Sequence, residues 1–198
     1  FKKEVQNIIK VIIWLIIPTM IVTYFGRGYL VRLLLANGSA VVASVLGLLV
    51  GLIGAKVLFQ IITRIYYAKQ DTMTPLYISF FAVGLNVFLA ATLGRASSMG
   101  VRGLAVAQTV SSIVEVLILM KFLKKHVDNL FDKDVVAQVS KMLIAGIFTG
   151  FITWAMIKFL PLRSTDVGFM AIVPKFLITI GISLGSYVVI SYVIGLKE

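Results

Sequence analysis

From Val41 to Ile62, and again from Leu76 to Leu93, the chain stays apolar for about the 20 residues that a helix needs to cross roughly 30 Å of hydrocarbon. The polar stretch between them, Arg64 to Pro75, therefore reads as a loop at a membrane surface joining two spans. Four further stretches are long and apolar enough to cross: Ile8 to Phe25, Gly103 to Met120, Val136 to Leu160 and Phe169 to Leu196. Composition agrees, since 60% hydrophobic and 14% charged residues with a mean hydropathy of +1.03 suit a chain whose solvent is mostly lipid. The expected fold is all-α, a polytopic bundle of six transmembrane helices with both chain ends on one side.

Cationic loops are retained in the cytoplasm more readily than they are translocated, so Lys and Arg can assign the sides. With the N-terminus inside, the inner loops carry Lys2, Lys3, Lys10, Arg64, Lys69, Lys121, Lys124, Lys125, Lys133, Lys141 and Lys197. The outer loops carry Arg27, Arg32, Arg95, Arg102, Lys158, Arg163 and Lys175, and Lys56 lies within a span. The bias favours both ends in the cytoplasm. It also accounts for the net charge of +11 without nucleic acid, because basic loops and anionic headgroups attract one another. Membrane lipids are the expected surroundings.

The chain opens at Phe1 with a short basic segment, Lys2-Lys3-Glu4, and an apolar run containing Pro18. No small-residue cleavage site follows, so the opening reads as a helix of a longer protein rather than a signal peptide. Cysteine is absent, which excludes disulfides and thiolate metal sites, and His126 is the single histidine, so no His-based metal site can be assembled. No metal is expected.

The Arg64 to Pro75 loop has a physical design. Asp71, Thr72 and Thr74 are helix-capping residue types, and Pro75 suits a first helical position, where its missing N–H costs nothing. The third span is predicted to start near Pro75. Tyr66 and Tyr67 fall where the second span leaves the bilayer, as interfacial aromatics do, with Arg64 and Lys69 toward the headgroups.

The stretch Tyr67-Ala-Lys-Gln-Asp-Thr-Met-Thr-Pro75 resembles the aromatic-Tyr-Ala-x-Gln-Asp-Thr-x-Thr-Pro signature of the MurJ (MviN) family, the bacterial lipid II flippases; Tyr67, Gln70, Asp71, Thr72, Thr74 and Pro75 carry it. Other segments resemble the family in the same order. They are Ile17-Pro18, Leu30-Val-Arg-Leu-Leu-Leu-Ala-Asn-Gly38, Gly51-Leu-Ile-Gly-Ala-Lys56-Val-Leu, and Gly100 to Ala107. The similarity runs from Ile12 to about Lys125, and beyond that it is one of hydropathy. The resemblance implies that this is a fragment of a larger two-lobed transporter, the last six of fourteen helices. Its partners would include the missing N-terminal helices of the same polypeptide, which in the family carry most of the cavity arginines. It also implies a cytoplasmic signature loop and C-terminus in the bacterial inner membrane, agreeing with the charge count. The implied substrate is lipid II, carried from the inner to the outer leaflet by alternating access. No organic cofactor is implied, while ion or membrane-potential coupling is expected.

Two charges lie inside the hydrocarbon, where each costs about 2.5 to 3.5 kcal/mol at mid-helix and so faces a cavity or a partner. Lys56 is eight positions before Arg64 and Glu115 six before Lys121, which puts them roughly 12 and 9 Å from the same membrane edge. They can pair and pin the second span to the fourth, or a pair that breaks can gate a transport path. Both are transport-path candidates. The family places a lysine near the cavity at the position of Lys56, whereas relatives often carry a small polar residue where this chain has Glu115.

Glycine pairs four apart, Gly47 with Gly51, Gly146 with Gly150, and Gly181 with Gly185, allow close helix packing. The resemblance adds a second meaning for the last two pairs, a groove for the polyprenyl tail formed by two appended helices. The chain thus divides into four helices over 1–125, a cytoplasmic link over 126–135 and two appended helices over 136–198, and the stretch from Lys121 to Asp134, with Phe122, Leu123, Val127, Leu130 and Phe131 among lysines, suits a short helix on the membrane surface.

An enzyme acting on polyprenyl phosphates needs clustered acids or a placed base, and here only Asp128, Asp132 and Asp134 cluster, among lysines. A channel needs a repeating polar stripe, and none stands out. A flippase for another polyprenyl-linked oligosaccharide, or a drug antiporter of the same superfamily, is the alternative transporter.

Overall fold

The computed structural model describes residues 2–35, 39–95, 99–126, 132–162 and 169–196. They form six helices: α1 (Lys2–Leu34), α2 (Ala40–Ala68), α3 (Met73–Leu93), α4 (Val101–His126), α5 (Lys133–Phe159) and α6 (Phe169–Val193). Each is long and apolar enough to cross a membrane. All six expected spans are present, and most helices outrun the apolar stretch that announced them. A helix that has started keeps adding hydrogen bonds at little cost, so polar residues at its ends join it.

Polarity is distributed opposite to that of a soluble protein. The outer face of α3 carries Tyr77, Phe80, Phe81 and Phe88, with Phe80 69% exposed. The buried positions include Ser111, Ser112, Glu115, Thr149, Thr153, Thr179, Ser183 and Ser191. In water this arrangement would lose the hydrophobic contribution on the outside and strand polar groups within. In hydrocarbon it is the favourable one, because polar side chains find partners only by facing each other across helices.

The chain forms two compact units. One comprises Phe1–Ile9 with Leu48–Asp132, and the other Lys10–Gly47 with Lys133–Glu198. This grouping differs from the chain-order division at 126–135, because most of α1 belongs with α5 and α6. The reason is local packing. A Cβ on Gly146 would come within 2.7 Å of Ile17 Cγ2, and one on Gly150 within 3.6 Å of Phe25. Thr153 and Ser183 join α5 to α6 by a 2.7 Å hydrogen bond, and Trp14 Nε1 donates to Ser191 Oγ at 3.3 Å. Tyr29 donates to the Leu160 carbonyl and stacks on Phe176 at 5.8 Å.

In the other unit, α3 packs against α4 through a tight corner. A Cβ on Gly103 would stand 1.9 Å from the Leu93 carbonyl oxygen, so glycine alone lets the start of α4 pass the end of α3. Helix α4 continues through Phe122 and a fully buried Leu123 to His126, so the first part of the expected surface helix belongs to α4. Residues 127–131 of that link, with Asp128, lie outside the described residues.

Candidate functional site

The turn between α2 and α3 joins two caps. At the end of α2, Asp71 N–H donates to the Tyr66 carbonyl at 3.1 Å and Gln70 N–H to the Tyr67 carbonyl at 2.9 Å. This closure needs a left-handed residue, and Gln70 supplies it with φ of +62°. At the start of α3, the Asp71 carboxylate accepts from Thr74 N–H at 3.0 Å. Asp71 thus serves both helices. Thr72 makes no side-chain cap bond, and α3 begins at Met73, so Pro75 is its third residue rather than its first. The position still suits proline, because the first four N–H groups of a helix have no partner within it.

Tyr66 corrects an expectation. It is fully buried rather than interfacial, and its hydroxyl donates to the Leu119 carbonyl at 3.0 Å, tying α2 to α4. Tyr67 is 54% exposed, as an interfacial residue would be. Adjacent residues on a helix point about 100° apart, which lets Tyr66 face α4 while Tyr67 faces outward.

One helical turn below Leu119 on α4, the structure brings the two intramembrane charges together. Lys56 Nζ lies 3.2 Å from Glu115 Oε2. The other carboxylate oxygen, Oε1, accepts from Ser79 Oγ at 2.8 Å, so α2, α3 and α4 converge on one acid. The two charges differ in access: the Lys56 side chain is 45% exposed and that of Glu115 is 6% exposed. Lys56 also lies 5.2 Å from the centroid of the Phe59 ring, one turn along its own helix.

A second polar pair continues the seam. Asn86 Nδ2 donates to Gln108 Oε1 at 2.7 Å. Ser79 and Asn86 are seven apart on α3, as Gln108 and Glu115 are on α4, so both pairs sit on one line between antiparallel helices. Between α2 and α4, Thr109 donates to the Leu48 carbonyl at 2.9 Å, and a Cβ on Gly51 would come within 2.8 Å of Thr109 Cγ2. The sequence reading passed over Ser79, Asn86 and Gln108. The signal for them was the seven-residue spacing of sparse polar side chains on two otherwise apolar spans.

The glycine pairs divide. Gly146 and Gly150 are filled by α1, as close-packing positions. Gly181 and Gly185 have nothing within 4 Å of an added Cβ and lie on the exposed face of α6, with Ile178 and Val188. Among the described residues no group of His, Cys, Asp and Glu has the arrangement of a metal site.

Six apolar helices that enclose hydroxyls, amides and an ion pair, and expose aromatic and aliphatic side chains, define a multi-pass membrane protein. The profile of the family described as "Lipid II flippase MurJ" matches residues 1–174, and the chain belongs to that family. Its fold is also that of a solved structure described as "Lipid II flippase MurJ, inward closed conformation", with a TM-score of 0.78 at 18% identity. That likeness covers 98% of this chain and 39% of the solved chain, so this chain spans well under half the length of the flippase it resembles. No curated protein matches it in sequence.

Proposed function

We propose that this protein takes part in moving lipid II from the inner to the outer leaflet of the bacterial cytoplasmic membrane by alternating access, as a transporter rather than an enzyme. Membership of the flippase family and the shared fold support the reading. The observation that carries it is the Lys56–Glu115 pair, a charge pair set within apolar spans with its ammonium half open. Diphosphate and sugars cannot enter hydrocarbon unaided, so their passage requires polar and cationic groups at membrane depth while the polyprenyl tail stays in lipid. Lys56 is such a cation. In the same reading the tail runs along α6 past Gly181 and Gly185, whose faces are open, whereas Gly146 and Gly150 hold the helices together. Both chain ends and the 69–72 turn then lie on the cytoplasmic side, in keeping with the distribution of Lys and Arg.

The test is lipid II translocation in cells depleted of their own flippase and supplied with the full-length protein, with membrane abundance measured in parallel. Rescue is expected, with Lys56→Gln reducing translocation at equal abundance. No rescue by well-expressed wild-type protein refutes lipid II as the substrate. Equal translocation by Lys56→Gln refutes the role of Lys56.

A further inference from the structure

The face that α6 buries is made of hydroxyls. Apart from Ile172, its buried residues are Thr179, Ser183, Tyr187 and Ser191, spaced four apart on one stripe. Most of these hydroxyls have partners. Thr179 donates to the Lys175 carbonyl at 2.8 Å, Ser191 accepts from Trp14 Nε1 at 3.3 Å, and Ser183 meets Thr153 of α5 at 2.7 Å. Thr153 has one hydroxyl proton and gives it to the Thr149 carbonyl, so Ser183 is the donor between the two. Two groups are left over. Neither Thr149 Oγ1 nor Tyr187 OH has a hydrogen-bond partner among the described residues, and the two residues are 0% and 1% exposed.

The register of the helices brings the two together. Contacts with α1 run up α5, from Ile17 at Gly146 to Tyr29 at Leu160, and down α6, from Trp14 at Ser191 to Tyr29 at Phe176, so α5 and α6 are antiparallel. With Thr153 opposite Ser183, Thr149 stands opposite Tyr187 and Ala145 opposite Ser191. Side chains lean toward the N-terminus of their helix, which carries Thr149 toward the level of Ala145. From α6, the Tyr187 hydroxyl comes to Ser191 without bonding it, and its ring lies 5.7 Å from that of Trp14. At that level α5 offers only the buried methyl group of Ala145.

No side chain from outside can serve these hydroxyls, because the chain itself already encloses both. A rotated Thr149 would reach a carbonyl of its own helix and still leave Tyr187 alone. An enclosed hydroxyl without a partner is unfavourable, and the usual relief is an ordered water with about two to four polar partners. Three are at hand: Thr149, Tyr187 and Ser191, whose oxygen accepts from Trp14 while its own proton stays available. Ser191 stands close to the end of α6, and Lys141 precedes Ala145 by one turn of α5, so the level lies near the aqueous end of the helix pair.

We propose that one water molecule is held between α5 and α6 at the level of Ser191, bonded to Thr149 Oγ1, Tyr187 OH and Ser191 Oγ. It joins the two helices to each other and, through Trp14, to α1. The inference is independent of the transported substrate.

The test uses the full-length protein in one detergent, with Thr149→Val, Tyr187→Phe and the double variant, each close in shape to the original. Removing an unpartnered buried hydroxyl raises stability, whereas removing one that holds a water lowers it. Each single variant is expected to melt several degrees below wild type. The double variant should lose less than the two losses added, because the first substitution already loosens the water. A rise in melting temperature in either single variant, or losses that simply add, overturns the proposal. If the variants do not fold, a high-resolution map of the wild type decides. A density peak within hydrogen-bonding distance of both hydroxyls supports the site, and its absence, or a direct bond between Thr149 and Tyr187, overturns it.

Discussion

Replacing glycine by alanine at four positions should give effects of opposite sign, because the same methyl group meets different surroundings. At Gly103 it would sit 1.9 Å from the Leu93 carbonyl oxygen, where real Cβ contacts stay beyond 3.0 Å. The corner between α3 and α4 would have to open by roughly 1 Å. Overpacking costs about 1 to 3 kcal/mol, and the upper end applies because a peptide carbonyl cannot rotate away as a side chain can. The helix propensity gained, about 1 kcal/mol, offsets part of this and leaves a net loss of roughly 2 kcal/mol. At Gly146 the obstacle is Ile17 Cγ2 at 2.7 Å, a methyl fixed on the β-carbon of a branched side chain with little χ1 freedom in a helix, so overpacking outweighs the propensity gained and leaves a net loss of about 1 kcal/mol. At Gly84 and Gly181 nothing lies within 4 Å, and the substitution should stabilise by about 0.5 to 1 kcal/mol. The assay is thermal unfolding of the purified full-length variants in one detergent. The expected order of melting temperature is Gly84→Ala and Gly181→Ala above wild type, Gly146→Ala somewhat below it, and Gly103→Ala lowest. A Gly103→Ala protein as stable as Gly84→Ala would refute the close approach at the corner.

The turn between α2 and α3 yields a second pair of opposed effects: Asp71→Ala should lower stability by about 0.5 to 2 kcal/mol through loss of the cap on Thr74, and Gln70→Gly should raise it by about 1 kcal/mol by relieving the left-handed backbone, both read by the same unfolding assay. Sidedness is checked by single cysteines, which the chain does not otherwise contain. An impermeant maleimide is expected to label Thr72→Cys in inside-out vesicles and Leu34→Cys in right-side-out ones, and the reverse pattern would overturn the proposed orientation.

How much of this was legible beforehand differs by element. The six spans followed from length and apolarity, since crossing hydrocarbon demands both and little else in the chain competes with that demand. The meeting of Lys56 and Glu115 was legible because each charge sits at a similar depth and needs a counterpart. Ser79 was not, because a serine in an apolar run is cheap enough to need no partner, and only the antiparallel register of α3 and α4 gives it one. Tyr66 was misplaced for a related reason: its ring suits an interface as well as an interior, and the carbonyl that decides between them lies on a helix far along the chain. The placement of most of α1 with α5 and α6 was likewise invisible. The glycines of α5 indicate that something approaches closely, and nothing local says that Ile17 and Phe25 do so.

The three-helix meeting at Glu115 also bears on how the protein is made. Lys56 and Ser79 both precede Glu115 in the chain, so during synthesis they reach the bilayer before the acid does. A lysine tolerates waiting, since its long side chain can lift its charge toward the headgroups. Glutamate is shorter and has less of that recourse, and it leaves the ribosome when both of its partners have been laid down. The order of translation thus spares the nascent α4 a period with an unneutralised charge in lipid. Reordering these helices by circular permutation, with every contact of the finished bundle retained, would remove that protection at the stage of insertion.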